Sequence, residues 1–267
     1  MLPALAFNNT RPDHYVGHDP IFNAMDETFP KCFDFDSLAG RQALAFKSSE
    51  LKINGLRLNA VANTPICMKR DVHVGNDLWI PLNGCNSIET EGKTFHYDSG
   101  RSAFLGSTGE RCFRTSIISA VCIHLDPDRL NATHAAMVGL ETPIAVPAFA
   151  RTLPLDVHRI SFRTLFKNVF EEIDALDGNP QALGRLTTDD TIYRLCVGLL
   201  QPEIFANPAP SGSTRSPPRA EILRLCEFLT ANLRQPISLT QMEQCSGLSS
   251  RVLQYSFRKH FGLRPKE

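Results

Sequence analysis

The chain has 267 residues, of which 42% are apolar, 21% charged and 8% aromatic, the make-up of an ordinary globular protein. That excludes a disordered chain, a collagen-like fibre and a coiled-coil rod. The 28 Lys/Arg and 28 Asp/Glu cancel, and no apolar run approaches the roughly 20 residues needed to cross a bilayer, so no membrane partner is expected.

The start, Met1–Asn9, has no basic segment and too short an apolar stretch for a secretory signal, so a cytoplasmic chain is expected. Cys32, Cys67, Cys85, Cys112, Cys122, Cys196, Cys226 and Cys245 are scattered, with no C-x-x-C pair. They read as small buried apolar residues in a reducing compartment, not as a disulfide framework or a metal site.

Residues 45–125 read as short strands broken by turns. Leu51–Asn54 and Leu56–Asn59 alternate apolar with polar residues. Leu78–Leu82 is followed by the turn pair Asn83–Gly84, and Ser87–Glu91, Gly92–Lys93 and Thr94–Tyr97 form a hairpin pattern. Ile117–Leu125 is a further strand. Such spacing predicts a small sandwich or barrel. His73, His96 and His124 are isolated in sequence, with no H-x-H pair, so neither a metal site nor a catalytic centre is expected. His134 and His158 read as surface or loop residues. Arg111 and Arg114 follow a glycine turn and read as a solvated edge, with an anion-binding role as the alternative.

After Arg159 the period changes to that of a helix. Phe162, Leu165, Phe166, Val169, Phe170, Ile173 and Leu176 form one apolar stripe, with Ser161 as N-cap and Gly178 past the end. A second helix has Thr188 as cap and the stripe Ile192, Leu195, Cys196, Leu199 and Leu200, closed by Pro202. These stripes either pack on the strand region or pair two subunits. Residues 206–219, rich in Pro, Ser and Gly, read as a linker.

The last segment is the most specific. Pro217 and Pro218 precede a helix lined by Ile222, Leu225, Cys226 and Leu229. Ser238-Leu-Thr-Gln241 has the capping-box form, and Leu239, Met242 and Cys245 share one face of a short helix that stops at Gly247. Leu248 and the cap Ser249 lead into a longer helix, Ser250–Phe261, with Val252, Leu253, Phe257 and Phe261 pointing inward. Helix, tight glycine turn and helix make a helix-turn-helix. Arg251, Gln254, Tyr255 and Arg258 fall on the other face, flanked by Lys259, Arg264 and Lys266. From Leu248 to Lys266 there are five Lys/Arg and no Asp/Glu. A helix that enters the major groove needs donors of this kind: Arg can grip guanine, Gln can read adenine, and Lys can meet phosphate. The candidate DNA-binding residues are therefore Ser249, Ser250, Arg251, Gln254, Tyr255, Arg258 and Lys259.

The stretch Leu239–Pro265 resembles the first helix-turn-helix of AraC/XylS-type transcriptional regulators, through Leu239, Met242, Gly247, Ser249, Leu253, Gln254, Phe257, Phe261, Gly262 and Pro265. The strand region and following helices are similar to that family's cupin-like sensor, through Trp79–Leu82 and Ser99–Leu105. The resemblance implies an α+β chain. Residues 1–205 would be a cupin-like β-barrel with dimerisation helices, followed by the linker 206–219 and an all-α reader, 220–267. It implies a ligand-responsive activator of promoter DNA, without enzymatic activity or cofactor. It would be a homodimer through residues 161–200, with a small-molecule effector in the barrel and RNA polymerase as a further partner. Two departures stand out. Glu243 occupies a position that is usually alanine, where the two helices approach closely, so its side chain is expected to bend to solvent or to part the helices. The second helix-turn-helix of the family is absent from the sequence, which makes the expected reader a truncated one. A truncated, dimerising subunit that modulates full-length relatives is the alternative.

The neutral total hides an asymmetry. Residues 206–267 carry nine Lys/Arg against four Asp/Glu, while residues 1–205 carry 19 against 24. An acidic first part joined to a basic reader is the charge pattern of a nucleic-acid-binding chain.

Overall fold

The computed structural model describes residues 2–7, 13–28, 32–38, 44–73, 75–138, 144, 149–206, 219–235, 237–248 and 250–262. The chain divides into two compact units, Met1–Pro127 with Val146–Pro180, and Asp128–Ala145 with Gln181–Glu267. The architecture is α+β, as the sequence implies.

The first unit is built on two antiparallel sheets. Its elements are β1 (Asp13–Val16), α1 (His18–Thr28), β2 (Cys32–Ser37), β3 (Ala45–Ile53), β4 (Leu56–Asn63), β5 (Ile66–His73) and β6 (Asn76–Asn83), then β7 (Cys85–Thr90), β8 (Lys93–Asp98), β9 (Ser102–Gly106), β10 (Gly109–Thr115) and β11 (Ile118–Leu125). One sheet has the order β1-β3-β4-β11-β6-β9-β12, with β12 at Arg151–Pro154, and the other the order β2-β5-β10-β7-β8. Neighbours that are distant in sequence, such as β4 and β11, make this a double-sheet, cupin-like arrangement rather than a meander.

Local chemistry fixes the hairpins. Asn54 and Gly55 join β3 to β4 at φ 45° and 83°, the left-handed pair that a two-residue turn requires. Gly84 turns β6 into β7 at φ 77°, and a Cβ there would strike the Ile117 carbonyl. Between the sheets one apolar core gathers residues such as Phe46, Val61, Met68, Trp79, Ile88, Tyr97, Phe104 and Phe113. Its rings touch: Tyr97 stacks on Phe104 at 5.4 Å and Trp79 meets Phe113 at 6.0 Å. Strands β1, β2 and β12 extend the sheets beyond the region that the alternation pattern marks.

After β12 come the short pair β13 (Asp156–Val157) and β14 (Ile160–Ser161), then α3 (Phe162–Ala175). Ser161 caps α3 as expected, accepting from the Thr164 amide, and Gly178 follows at φ 60°. The stripe Phe162, Phe166, Val169, Phe170 and Ile173 is buried, with Phe170 edge-on to Phe7 at 5.7 Å. Leu165, at the margin of the stripe, is 37% exposed.

The second unit is helical. It holds α2 (Pro127–Val138) from Asp128 on, and α4 (Pro180–Leu186) from Gln181 on, with α5 (Thr188–Leu200), α6 (Glu203–Ala206), α7 (Arg219–Ala231), α8 (Leu239–Ser246) and α9 (Ser250–Phe261). Thr188 is not the cap of α5. That place falls to Thr187, in the left-handed region at φ 57° and without a side-chain cap bond, while Thr188 is buried as the first helical residue. The expected linker lies outside the described residues apart from its ends: Ala206 closes α6 and Arg219 opens α7.

Two further expectations are corrected here. His134 is 4% exposed on α2, not a surface residue, whereas His158 is exposed in the β13–β14 turn. Of the cysteines whose side chains are described, Cys122 and Cys196 are fully buried, Cys85 is exposed, and Cys67, Cys112, Cys226 and Cys245 are half-buried, all as free thiols.

Candidate nucleic-acid interface

The short helix α8 forms where the sequence says it should. The Ser238 hydroxyl accepts from the Gln241 amide at 3.1 Å, and the Gln241 side chain accepts from the Ser238 amide at 2.8 Å, a complete capping box. Gly247 ends the helix at φ 68°, its amide donating to the Glu243 carbonyl at 2.8 Å. Helices α7, α8 and α9 share a small core of Leu225, Met242, Leu253 and Phe257, ringed by Phe228, Leu229, Ile237, Leu239, Cys245 and Leu248. Burying Leu253 and Phe257 on one side of α9 leaves the opposite side to solvent.

That outer side carries the predicted reader. Gln254, Tyr255, Arg258 and Lys259 are exposed, Tyr255 to 62%, and the Lys259 ammonium lies 5.9 Å from the centre of the Tyr255 ring. Ser250 and Arg251 stand in the first turn of α9, while Ser249, Arg264 and Lys266 lie outside the described residues. Phe261 departs from its expected inward place. It is 48% exposed at the helix end, in ring contact with Phe257 at 5.3 Å, because the three-helix core has closed one turn earlier.

Glu243 also departs from expectation. It neither turns to solvent nor stands unpaired between the helices: it is 5% exposed and ion-paired with Arg194 of α5. Arg194 also donates to Asp190 at 2.9 Å and to the Thr240 hydroxyl at 3.1 Å, and the Thr240 hydroxyl donates to Asp190. Burial works against the Arg194 charge, but Asp190 and Glu243 outweigh it and hold the guanidinium above its ordinary pKa. No sequence signal pairs Glu243 with a residue 49 positions earlier.

A second polar cluster lies inside the first unit. Its members, which sequence separates, are brought together by register: Cys122 stands opposite Trp79, and His124 opposite Asp77, on the paired strands β11 and β6. Asp77 is 1% exposed and accepts from Arg111 at 3.5 Å, while His124 lies 3.1 Å from Asp77 and 2.7 Å from the Asn59 amide oxygen. His124 is therefore not isolated, and candidate ligand atoms of Asp77, Cys122 and His124 lie within 4.8 Å of one another. Arg111 and His124 both meet the Asp77 carboxylate, and His124 also meets the Asn59 amide, so these groups already have protein partners. Nor is Arg111 a solvated edge, for it is 1% exposed, also donates to the Ser107 carbonyl, and fills the space where a Gly106 side chain would stand. Only Arg114 is exposed. The signal was present in β10, where Arg111, Phe113 and Thr115 alternate with Glu110, Cys112 and Arg114. Burial, then the charge of Asp77, push the Cys122 thiol well above its ordinary pKa, so it is no nucleophile.

Among the comparisons with known proteins, the likeness to one solved structure bears on the fold. No protein-family model matches the sequence, and no curated protein sequence matches it. The fold of the chain is similar to that of the AraC-like transcriptional activator CuxR, with a TM-score of 0.50 at 14% identity over 94% of this chain and 90% of that one. ToxT of Vibrio cholerae overlaps it with a TM-score of 0.37 at 8% identity, over 85% of this chain and 78% of that one. A cupin 2 conserved barrel domain protein of Salinispora arenicola covers 31% of this chain and 77% of its own length, with a TM-score of 0.26 at 13% identity. No described helix is long and apolar enough to cross a membrane.

Proposed function

We propose that the chain is a ligand-responsive transcription regulator that reads promoter DNA with α9. The observation that supports this is the exposed, acid-free face of Gln254, Tyr255, Arg258 and Lys259 on the second helix of a complete helix-turn-helix. A helix docked in the major groove presents such a face to base edges and phosphates. Residues 220–267 are the reader in this proposal, and the sheet unit is the sensor. Its core is filled with aromatic side chains, and a cavity of about 200 Å³ opens at the β7–β8–β10 end, bordered by His96, Asp98 and Arg114.

The dimer belongs to the same proposal, with a constraint. The α3 stripe is spent inside the chain, so pairing through residues 161–200 falls to the outer face of α3, where Leu165, Lys167 and Glu171 are exposed.

Enrichment of a random duplex pool on the purified protein tests the reading. A shared motif is expected to emerge. Gln254→Ala should relax one position of it, at a cost of about 1–3 kcal/mol. Lys259→Ala should weaken binding to all sequences alike and flatten the salt dependence by about one unit of slope. A pool that gains no motif, with binding indifferent to Gln254, overturns it.

A further inference from the structure

Three helices of the second unit, α2, α5 and α8, are joined by buried charge. Successive residues on a helix point about 100° apart, so adjacent side chains meet different neighbours. On α5, Asp189 and Asp190 are 1% and 4% exposed and use this offset. Asp189 takes the guanidinium of Arg129 from α2, which also lies 4.5 Å from the centre of the Tyr193 ring. Asp190 takes Arg194 one turn further along α5 and the Thr240 hydroxyl of α8. Arg194 then reaches Thr240 and Glu243. None of these groups stands on the exposed face of α9.

We infer that Arg194 and Glu243 are positioning residues of the DNA reader, which seat α8, and through it α9, on α5. The inference rests on the DNA-binding reading of α9. Apolar packing alone tolerates sliding between helices, because contact between methyl groups is not directional. A buried carboxylate shared between a guanidinium and a hydroxyl is satisfied in one register only, and any slip leaves a charge without its partner. The network therefore holds the recognition helix in a defined place without touching DNA. It also sets what the reader follows. Helix α2 leaves β11 after the single residue Asp126, is bound to α5 by Arg129, and α5 is bound to α8 by Arg194. A shift of α5 is thus passed to the reader through side chains, independently of the chain segment 207–218.

The test is a charge swap in the full-length protein, read by amide hydrogen exchange in α8 and by affinity for the enriched duplex. Arg194→Glu gathers three acids in one buried site, and Glu243→Arg puts two guanidinium groups against one aspartate. Each should raise α8 exchange at least tenfold over the unchanged protein and weaken duplex binding at least tenfold, with exchange in α3 unaltered. The double swap R194E/E243R places a guanidinium beside both acids and should bring both readings back to within threefold of the starting protein. Glu243→Gln keeps the shape, removes the charge and should give a smaller loss of both. Failure of the swap to rescue, or single variants with unchanged α8 exchange, overturns the inference. If the unchanged protein enriches no duplex, the DNA-binding reading fails, while the exchange arm still decides whether the network seats α8.

Discussion

The two buried charge clusters look alike and serve different ends. Arg111 on β10 of one sheet meets Asp77 on β6 of the other, beside His124 on β11; within each sheet the hydrogen-bond ladders fix the register, and a large apolar core lies between the sheets. Arg194, Asp190, Thr240 and Glu243 sit between helices whose shared apolar core is small, and no ladder locates α8 on α5. In the sheet unit the charges are accommodated by a frame set without them. In the helical unit they are part of what sets the frame. The comparison teaches that burial of a charge does not reveal its role; what else fixes the geometry around it does.

The largest effect should come from the sheet cluster. Arg111→Met removes the guanidinium that Asp77 meets inside the core and leaves His124 as its remaining named partner. Breaking one side of a buried pair costs about 3–5 kcal/mol. Denaturant unfolding measures the loss, and alkylation locates it. Cys122 lies in this core and Cys196 on α5, both fully buried with pKa raised by burial, so each reacts only when its surroundings open. Faster alkylation of Cys122 with Cys196 unchanged would confirm that the damage is confined to the sheets. A loss below about 1 kcal/mol would mean that Asp77 is not held as a buried charge in need of Arg111.

A step below is Leu253→Ala, which empties the centre of the three-helix core. Such truncations cost about 2–5 kcal/mol, and a small core has little to collapse into the gap. Alkylation of the half-buried Cys245, which packs on this core, should accelerate while that of Cys122 does not. Equal acceleration at both thiols would show that the two regions open together, and the contrast between them would fall.

The same contrast explains what could be read in advance. Local rules located the helix-turn-helix well: the capping box of Ser238 and Gln241, the left-handed Gly247 and the outward Gln254, Tyr255, Arg258 and Lys259 all lie within one or two turns of the residues that determine them. The strands from Ala45 to Leu125 were legible for the same reason, through alternation and through turn glycines such as Gly84 and Gly92. What escaped depends on tertiary placement. Glu243 is expected to bend to solvent or to part the helices because its partner stands 49 residues away on another helix. His124 is read as isolated because its carboxylate arrives by strand register, from a different strand. Phe261 follows the inward spacing of α9, yet the core ends before reaching it.

Ser238→Ala probes the local rule by itself. It removes the hydroxyl that the Gln241 amide needs and leaves the rest of the network alone, so it should cost about 1 kcal/mol in denaturant unfolding. A loss as large as that of Leu253→Ala would mean that the cap also supports the seating of α8 on α5.

The smallest effect offers a control for the whole comparison. Lys167 and Glu171 on α3 stand four residues apart and 3.5 Å from each other, the spacing of Asp190 and Arg194 on α5. Sequence alone cannot rank the two pairs, since both are i, i+4 ion pairs on amphipathic helices. Burial separates them: the α3 side chains are 69% and 62% exposed, those of α5 21% and 5%. Water and salt screen the exposed pair and its long side chains give up rotamer freedom to meet, so Lys167→Ala should change stability by no more than about 0.5 kcal/mol. That small loss should shrink further at 1 M salt, where screening acts over about 3 Å. Arg194→Met at the same salt should keep most of its effect, because the partners it abandons are shielded from solvent ions by the helices themselves. If salt abolished both losses alike, the α5–α8 contact would be a surface pairing, and seating of the reader would have to come from the apolar core alone.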